Sequence, residues 1–191
     1  SNIAKWDGST WTALGAGMNE GVEVLTTFDL DGDGAAAPQL IAGGAFTNAG
    51  GAAANHIARW DGATWEGFGT GMNHRVLALS SLTSGGTGPL PRELIAGGWF
   101  TTADGVAASF IARWNGSVWQ PLGSGIDGAV TALTQFDSDG AGPLLPQLIA
   151  GGSFRRAGTA AVSHLAEWNG SAWQALGVGL DEVVETLATF D

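Results

Sequence analysis

The stretch Ile57-Ala58-Arg59-Trp60-Asp61-Gly62-Ala63-Thr64-Trp65 decides the fold, because it comes back along the chain in constant register. It returns as Ile111-Ala112-Arg113-Trp114-Asn115-Gly116-Ser117-Val118-Trp119, and close kin begin at Ile3 and Leu165. The first tryptophans, Trp6, Trp60, Trp114 and Trp168, stand 54 residues apart, and the second set, Trp11, Trp65, Trp119 and Trp173, keeps the same interval. The run Leu-Ile-Ala-Gly-Gly recurs in phase from Leu40, Leu94 and Leu148. A fixed period of this size marks a repeat architecture, in which each unit hides its apolar surface against its neighbours. The chain of 191 residues is read as one domain, with repeats 3–56, 57–110 and 111–164 and a partial repeat 165–191.

Within one unit, Val22–Phe28 is rich in β-branched residues and is stopped by Asp29-Leu30-Asp31-Gly32-Asp33-Gly34, which makes it a first strand. Gln39–Gly44, Ile57–Trp60 and Thr64–Phe68 follow as second, third and fourth strands. Glycine and turn dipeptides interrupt every window of about ten residues, so no apolar period of 3.6 survives long enough for a helix. The expected fold is all-β, built of four-stranded antiparallel meanders. Strands one and two carry apolar or small residues at odd and even positions alike, which predicts cover on both faces. Four-stranded sheets packed face to face around an axis form a β-propeller, and the period lies in the propeller range. Small Ala42, Gly43 and Gly44 suit the crowded region near an axis, and the tryptophans the wider rim. The turn from Trp60 to Trp65 places those two rings on one face, and a cross-strand aromatic pair adds about 0.5–1.5 kcal/mol beyond burial. All four tryptophan pairs are therefore expected to be mostly buried between blades.

The unit resembles the kelch propeller repeat, through Gly43-Gly44 at the end of one strand, Trp60 in the next and Trp65 in the fourth. Trp60 stands where kelch repeats favour Tyr, and the sequence contains no Tyr. The Trp-Asp-Gly-x-x-Trp form is also similar to tandem repeats of large exported proteins of planctomycete-type bacteria. The resemblance implies a propeller acting in binding, secreted or at the cell surface of a bacterium. Sialidase Asp-box hairpins are similar in keeping Gly three residues before Trp, as Gly62 and Trp65 do, but the acidic residue is displaced to Asp61. Kelch-like copper-radical oxidases need Tyr and Cys ligation, and this sequence has neither residue.

Composition narrows the function classes. A formal net charge of −11 argues against nucleic acid or an anionic membrane surface as partner, since both attract basic proteins. Cations or basic partners suit it better. With no Cys, disulfides, thiol catalysis and Cys-based metal sites are excluded. No apolar stretch is long enough to span a bilayer as a helix, and the chain opens mid-pattern at Ser1-Asn2-Ile3, so any targeting signal is expected outside it.

Asp29, Asp31 and Asp33 have the alternating carboxylates and sharp Gly turn of a calcium loop. Ala37 stands where a later ligand is needed, repeat two has Thr83-Ser84-Gly85-Gly86-Thr87-Gly88 at this place, and repeat three keeps only Asp137 and Asp139. One calcium ion and a solvated acidic hairpin are the two readings; no other cofactor is expected. His56 and His164 share a phase with Phe110, one residue before a third strand, as in a slot that tolerates any aromatic ring. His74 alone is out of phase, beside Asn73 and Arg75 in the connection from strand four to the next strand one.

Residues that break a regular repeat are the better functional candidates. Trp99 stands where the other repeats have Ala45 and Ser153, at the mouth of the loop joining strands two and three, where an indole can stack on a sugar or a peptide side chain or else fill a gap between blades. The same loops supply Asn48, Asp104, Arg155 and Arg156. Meander geometry brings the four-to-one connections to the same side, adding Glu20, Asn73, His74, Arg75, Asp127, Asp181 and Glu182. The expectation is a noncatalytic binding or scaffolding module with a protein or glycan ligand on this face. A lectin-like propeller is the alternative. A glycosidase is the third, but needs two carboxylates about 5–10 Å apart in a cleft, and no pair stands out. Finally, Ile3–Leu14 supply a third and a fourth strand and Val183–Phe190 a first, with no Leu-Ile-Ala-Gly-Gly strand between them. That predicts a segment of a larger propeller, or a ring closed by association with another copy or another polypeptide.

Overall fold

In the computed structural model, residues 2–30, 37–83, 92–139 and 145–189 are described. The chain starts with an isolated hairpin, β1 (Ala4–Trp6) and β2 (Trp11–Ala13). The first complete unit contains β3 (Val22–Phe28), β4 (Gln39–Gly44), a small hairpin of β5 (Asn48–Ala49) and β6 (Ala52–Ala53), then β7 (Ile57–Trp60) and β8 (Trp65–Gly67). The second repeats this as β9 (Val76–Thr83), β10 (Arg92–Gly98), β11 (Thr102–Ala103), β12 (Val106–Ala107), β13 (Ile111–Trp114) and β14 (Trp119–Pro121). The third has β15 (Val130–Phe136), β16 (Gln147–Gly152), β17 (Arg156–Ala157), β18 (Ala160–Ala161), β19 (Leu165–Trp168) and β20 (Trp173–Ala175).

The result is three antiparallel four-stranded sheets, ordered β3-β4-β7-β8, β9-β10-β13-β14 and β15-β16-β19-β20. The four strands of each unit lie where the sequence places them, with the fourth one residue shorter at each end. No helix occurs among the described residues, so none is long and apolar enough to cross a membrane. The two-residue hairpins between strands two and three are additions that sequence patterning does not reveal, because two residues carry no alternation.

Each second strand is the buried centre of its sheet. Ile41, Ala42, Leu94, Ile95, Ala96, Leu148 and Ala150 have no solvent exposure. The glycine pair that ends this strand is there for lack of a side chain. A Cβ on Gly43, Gly97 or Gly151 would sit 2.6, 2.5 or 2.5 Å from Cγ1 of Val76, Val130 or Val184, a valine of the next repeat in every case. Adjacent sheets can approach this closely only because no methyl intervenes.

The tryptophans complete the packing between units. Indole Nε1 of Trp65, Trp119 and Trp173 donates to the carbonyl oxygen of Leu14, Phe68 and Leu122, each 51 residues earlier, at 2.9, 3.1 and 3.2 Å. All three second tryptophans are buried. Trp168 is buried as well, while Trp60 and Trp114 are half-buried. The expectation of burial fails for Trp6 and Trp11, which are 49% and 69% exposed. Their rings nevertheless pair as in the other units, with centroids 5.5 Å apart.

Two other expectations are corrected. Strand β3 is not covered on both faces; its residues alternate between exposed and half-buried up to Phe28. Residues 183–189 form no strand. The segment nevertheless runs where β9 and β15 run in their own units: Val184 is buried against Gly151, its N–H donates to Gly152 O at 3.4 Å, and its carbonyl accepts from Thr131 Oγ1.

Candidate functional site

The loops between strands two and three and the connections between units do meet on one side, and specific bonds bring them together. Oδ1 of Asn19 accepts the N–H groups of Thr47 and Asn48 at 3.0 and 2.9 Å. Oδ1 of Asn73 accepts those of Thr101 and Thr102 at 2.8 and 3.0 Å. Oδ1 of Asp127 accepts those of Arg155 and Arg156, both at 2.9 Å. These three residues share the repeat phase. Asn73 and Asp127, read from sequence as ligand contacts, thus clamp the small hairpin of their own unit, and Asn48, Arg155 and Arg156 supply the clamped backbone. The Arg155 and Arg156 side chains are exposed.

Asp104 is also held internally. It occupies the left-handed region, φ 47°, where the other units have Gly50 and Gly158 at φ 65° and 57°. Short polar side chains tolerate this region when they bond locally. Its Oδ1 accepts Thr70 N–H at 2.6 Å and Thr70 Oγ1 at 3.1 Å, and its Oδ2 accepts Trp119 N–H at 2.8 Å. Beside it, Val106, Val118, Gln120 and Pro121 line a shallow cleft of about 430 Å³.

The repeat is broken most strongly at the seam between the first and second units. Trp99, 54% exposed, continues from β10, its N–H bonded to Arg75 O at 3.0 Å. Its ring lies 6.5 Å from that of His74, tilted 44°, and His74 in turn stacks on His56 of the first unit at 6.2 Å and 20°. Arg75 Nη1 approaches Glu23 Oε1 at 3.5 Å across the same seam. Glu23 is free to do so because a bulge between Val22 and Val24 takes it out of the ladder. At the next seam the corresponding residues are Phe110, Gly128 and Ser153, so the three-ring array is peculiar to this one.

His56 sits in the slot expected for an aromatic ring, and the slot has a backbone cause. His56, Phe110 and His164 all have positive φ, at 66°, 63° and 61°, each turning the chain into a third strand. Nδ1 of His56 and of His164 lies 3.1 Å from the carbonyl oxygen of Gly44 and of Gly152. Burial holds the His56 imidazole below its ordinary pKa, helped by the neighbouring His74, while the Gly44 carbonyl and Glu20 oppose the shift. Sequence alone places His74 on the loop face but does not reveal the stack, because His56 and His74 meet only between two sheets; the coincidence of two phase-breaking residues, His74 and Trp99, in one unit is the one signal of it.

The seam offers an exposed indole face, an adjoining imidazole and an ion pair, which suits stacking and hydrogen bonding to a planar or pyranose-like group. Among the described residues, no three His, Asp or Glu side chains converge as a metal site. Of the candidate calcium ligands, Asp29 follows β3 directly, whereas Asp31 and Asp33 lie outside the described residues. Compared with known proteins, the chain matches no family model, no curated protein and no solved structure.

Proposed function

We propose that this chain is a kelch-like β-propeller segment whose sheets are blades, and that it works as a noncatalytic binding or scaffolding module. The meander order within each sheet and the packing of each Gly-Gly strand on the next unit's first valine support a radial arrangement. The observation that carries the binding reading is the Trp99–His74–His56 array. It places an aromatic platform on the loop side at the one seam where both phase-breaking aromatic residues stand. Most other polar groups of that face are engaged in holding the loops, so ligand contact centres on Trp99, with His74 and Arg75 at hand; the exposed side chains of Arg155 and Arg156 stand on the next unit's hairpin.

The half-exposed indole beside an imidazole also favours the lectin-like form of this reading, because such a platform stacks on the apolar face of a pyranose ring. A glycan array and a peptide array probed in parallel with the wild-type chain and Trp99→Ala separate the two. Loss of all specific binding in Trp99→Ala is expected. Ligands retained at full strength by that variant would remove Trp99 from the site.

A further inference from the structure

We propose that Asn115 and Asn169 are modification sites, each converted to aspartate through attack of the following glycine's nitrogen on its own side-chain amide. The hairpins joining third and fourth strands share one backbone and differ in the residue at its head. Asp7 and Asp61 open two of them, Asn115 and Asn169 the other two, and glycine follows each time. Gly8, Gly62, Gly116 and Gly170 have φ 104°, 103°, 99° and 96°, so the turn is the same whichever residue leads. Of the seven asparagines in the sequence, only these two precede glycine. The hairpins lie at the ends of the sheets opposite the Trp99 loop, so the modification is independent of the binding reading.

Each carboxamide is folded back over the nitrogen that attacks it. Oδ1 of Asn115 accepts the N–H groups of Ser117 and Val118, both at 3.0 Å, and Oδ1 of Asn169 those of Ser171 and Ala172 at 3.0 and 2.9 Å. The first bond of each pair closes a small ring that contains the glycine nitrogen, which keeps Cγ beside it. Both N–H groups also point at the oxygen on which negative charge develops as the nitrogen adds. The nitrogen itself is available. Among the described residues the Gly116 and Gly170 N–H groups have no acceptor, both glycines are exposed, and no heavy atom beyond their chain neighbours lies within 4 Å of where a Cβ would stand. Asn19 and Asn73 supply the contrast. Their Oδ1 atoms also accept two N–H groups each, but from a hairpin 28 and 29 residues away, and Glu20 and His74 follow them in place of glycine.

Solvent base removes the glycine N–H proton, and the nitrogen forms a bond to Cγ. The tetrahedral adduct expels the side-chain nitrogen, which takes a proton and leaves as ammonia, and a five-membered cyclic imide remains. Water then opens the imide; nothing is oxidised or reduced. Opening at the new C–N bond restores the normal main chain and leaves a carboxylate at the head of the hairpin. Opening at the other bond gives isoaspartate, which routes the main chain through the side chain. That inserts one extra atom into a loop whose ends are fixed by the Trp114–Trp119 and Trp168–Trp173 pairs, so the folded chain favours aspartate. Asp7 and Asp61 show the product in place. Their Oδ1 atoms accept the equivalent N–H groups at 2.8 and 2.7 Å, shorter than the asparagines' bonds, as a charged acceptor requires. Neither re-enters the reaction, because an ionised carboxylate is not attacked in this way and the same bonds hold both carboxyls below the usual range. Each conversion adds one negative charge to the formal −11 and turns an acid-insensitive hairpin into an acid-sensitive one.

The test ages the 191-residue chain in mildly alkaline buffer, folded or in urea, and maps its peptides by mass spectrometry. In the folded chain, exchange of ammonia for water is expected at Asn115 and Asn169 at least about tenfold faster than at Asn19 or Asn73. Electron-transfer fragmentation should show aspartate outnumbering isoaspartate there, and the isoaspartate share should rise in urea, where no hairpin resists the extra atom. The Ser117 and Val118 amide signals of the aged protein should move to the positions they hold in Asn115→Asp, and Asn115→Gln should leave that site unmodified. No conversion of the folded chain over the time in which the unfolded chain converts, equal conversion at Asn73, or isoaspartate as the main product in the folded chain would overturn the proposal.

Discussion

Trp119 of the second unit donates its indole N–H to the carbonyl oxygen of Phe68 in the first, at 3.1 Å, while its ring meets the Phe68 ring edge-on with centroids 5.5 Å apart. Residues 51 positions apart thus share one hydrogen bond and one aromatic contact, and Trp114 adds its own ring to Phe68 at 4.5 Å. The join between units is polar and apolar at once, and it is buried.

Truncating that join has a calculable effect. Trp119→Phe keeps an aromatic ring but leaves the buried Phe68 carbonyl without this donor, which costs about 1–3 kcal/mol. Trp119→Ala removes the ring as well and costs about 3–5 kcal/mol. Urea denaturation followed by circular dichroism should show both losses in that order. An alanine variant as stable as the wild type would mean that the units do not depend on this contact.

Acid should act unevenly on the tight hairpins. Oδ1 of Asp61 accepts the N–H groups of Ala63 and Thr64, both at 2.7 Å, and these bonds, the Thr64 N–H foremost, hold its carboxyl below the usual range. Asp7 is held down in the same way by Thr10 and Ser9. A carboxyl with a depressed folded pKa contributes stability above its unfolded value, about 3.9, which is lost as the pH falls toward the folded value. Asn115 and Asn169 make equivalent bonds with no titrating group. Hydrogen exchange between about pH 4 and pH 2 should therefore show Thr10 and Thr64 losing protection before Val118 and Ala172. Asp61→Asn should abolish the difference at its own hairpin; uniform behaviour of all four in the wild type would contradict this account.

The seam histidine gives the opposite group but the same direction of pH dependence. Because burial lowers the pKa of His56 in the folded chain, the unfolded state takes up its proton first, and stability falls as the pH drops below the unfolded value, about 6.5. His56→Phe copies Phe110, which occupies the same positive-φ position in the next unit. That variant should lose the part of the stability slope below about pH 6.5 that belongs to this residue. Thermal melts across that range decide it, and an unchanged slope would show that His56 is not the group responsible.

How far residues could be placed from sequence depended on whether their determinants repeat. The strands from Val22 to Trp65 were legible because pattern, turn residues and period agreed at each. Trp6 and Trp11 mark the limit of that pattern: their residues match the other pairs, yet burial depends on what packs against them, and the two stand exposed. Asn73 and Asp127 read in sequence as ligand contacts, and their phase with Asn19 also points to the structural role that the clamped N–H pairs supply. In Asp104 the sequence showed a departure from Gly50 and Gly158, but not that its carboxylate would reach Thr70 and Trp119 across a sheet. Contacts between units are set by how sheets stack, and a linear pattern carries that only indirectly.

Fluorine NMR of the chain labelled with 5-fluorotryptophan tests the stacked-unit account most directly, because every tryptophan reports on its own place in the repeat. Each signal is assigned by single Trp→Phe substitution and its solvent exposure read from the shift between light and heavy water. Trp6, Trp11 and Trp99 should show large solvent shifts, Trp60 and Trp114 intermediate ones, and Trp65, Trp119, Trp168 and Trp173 almost none. If Trp65, Trp119 and Trp173 respond to solvent as strongly as Trp99 does, the units are not joined through their tryptophans and the account fails.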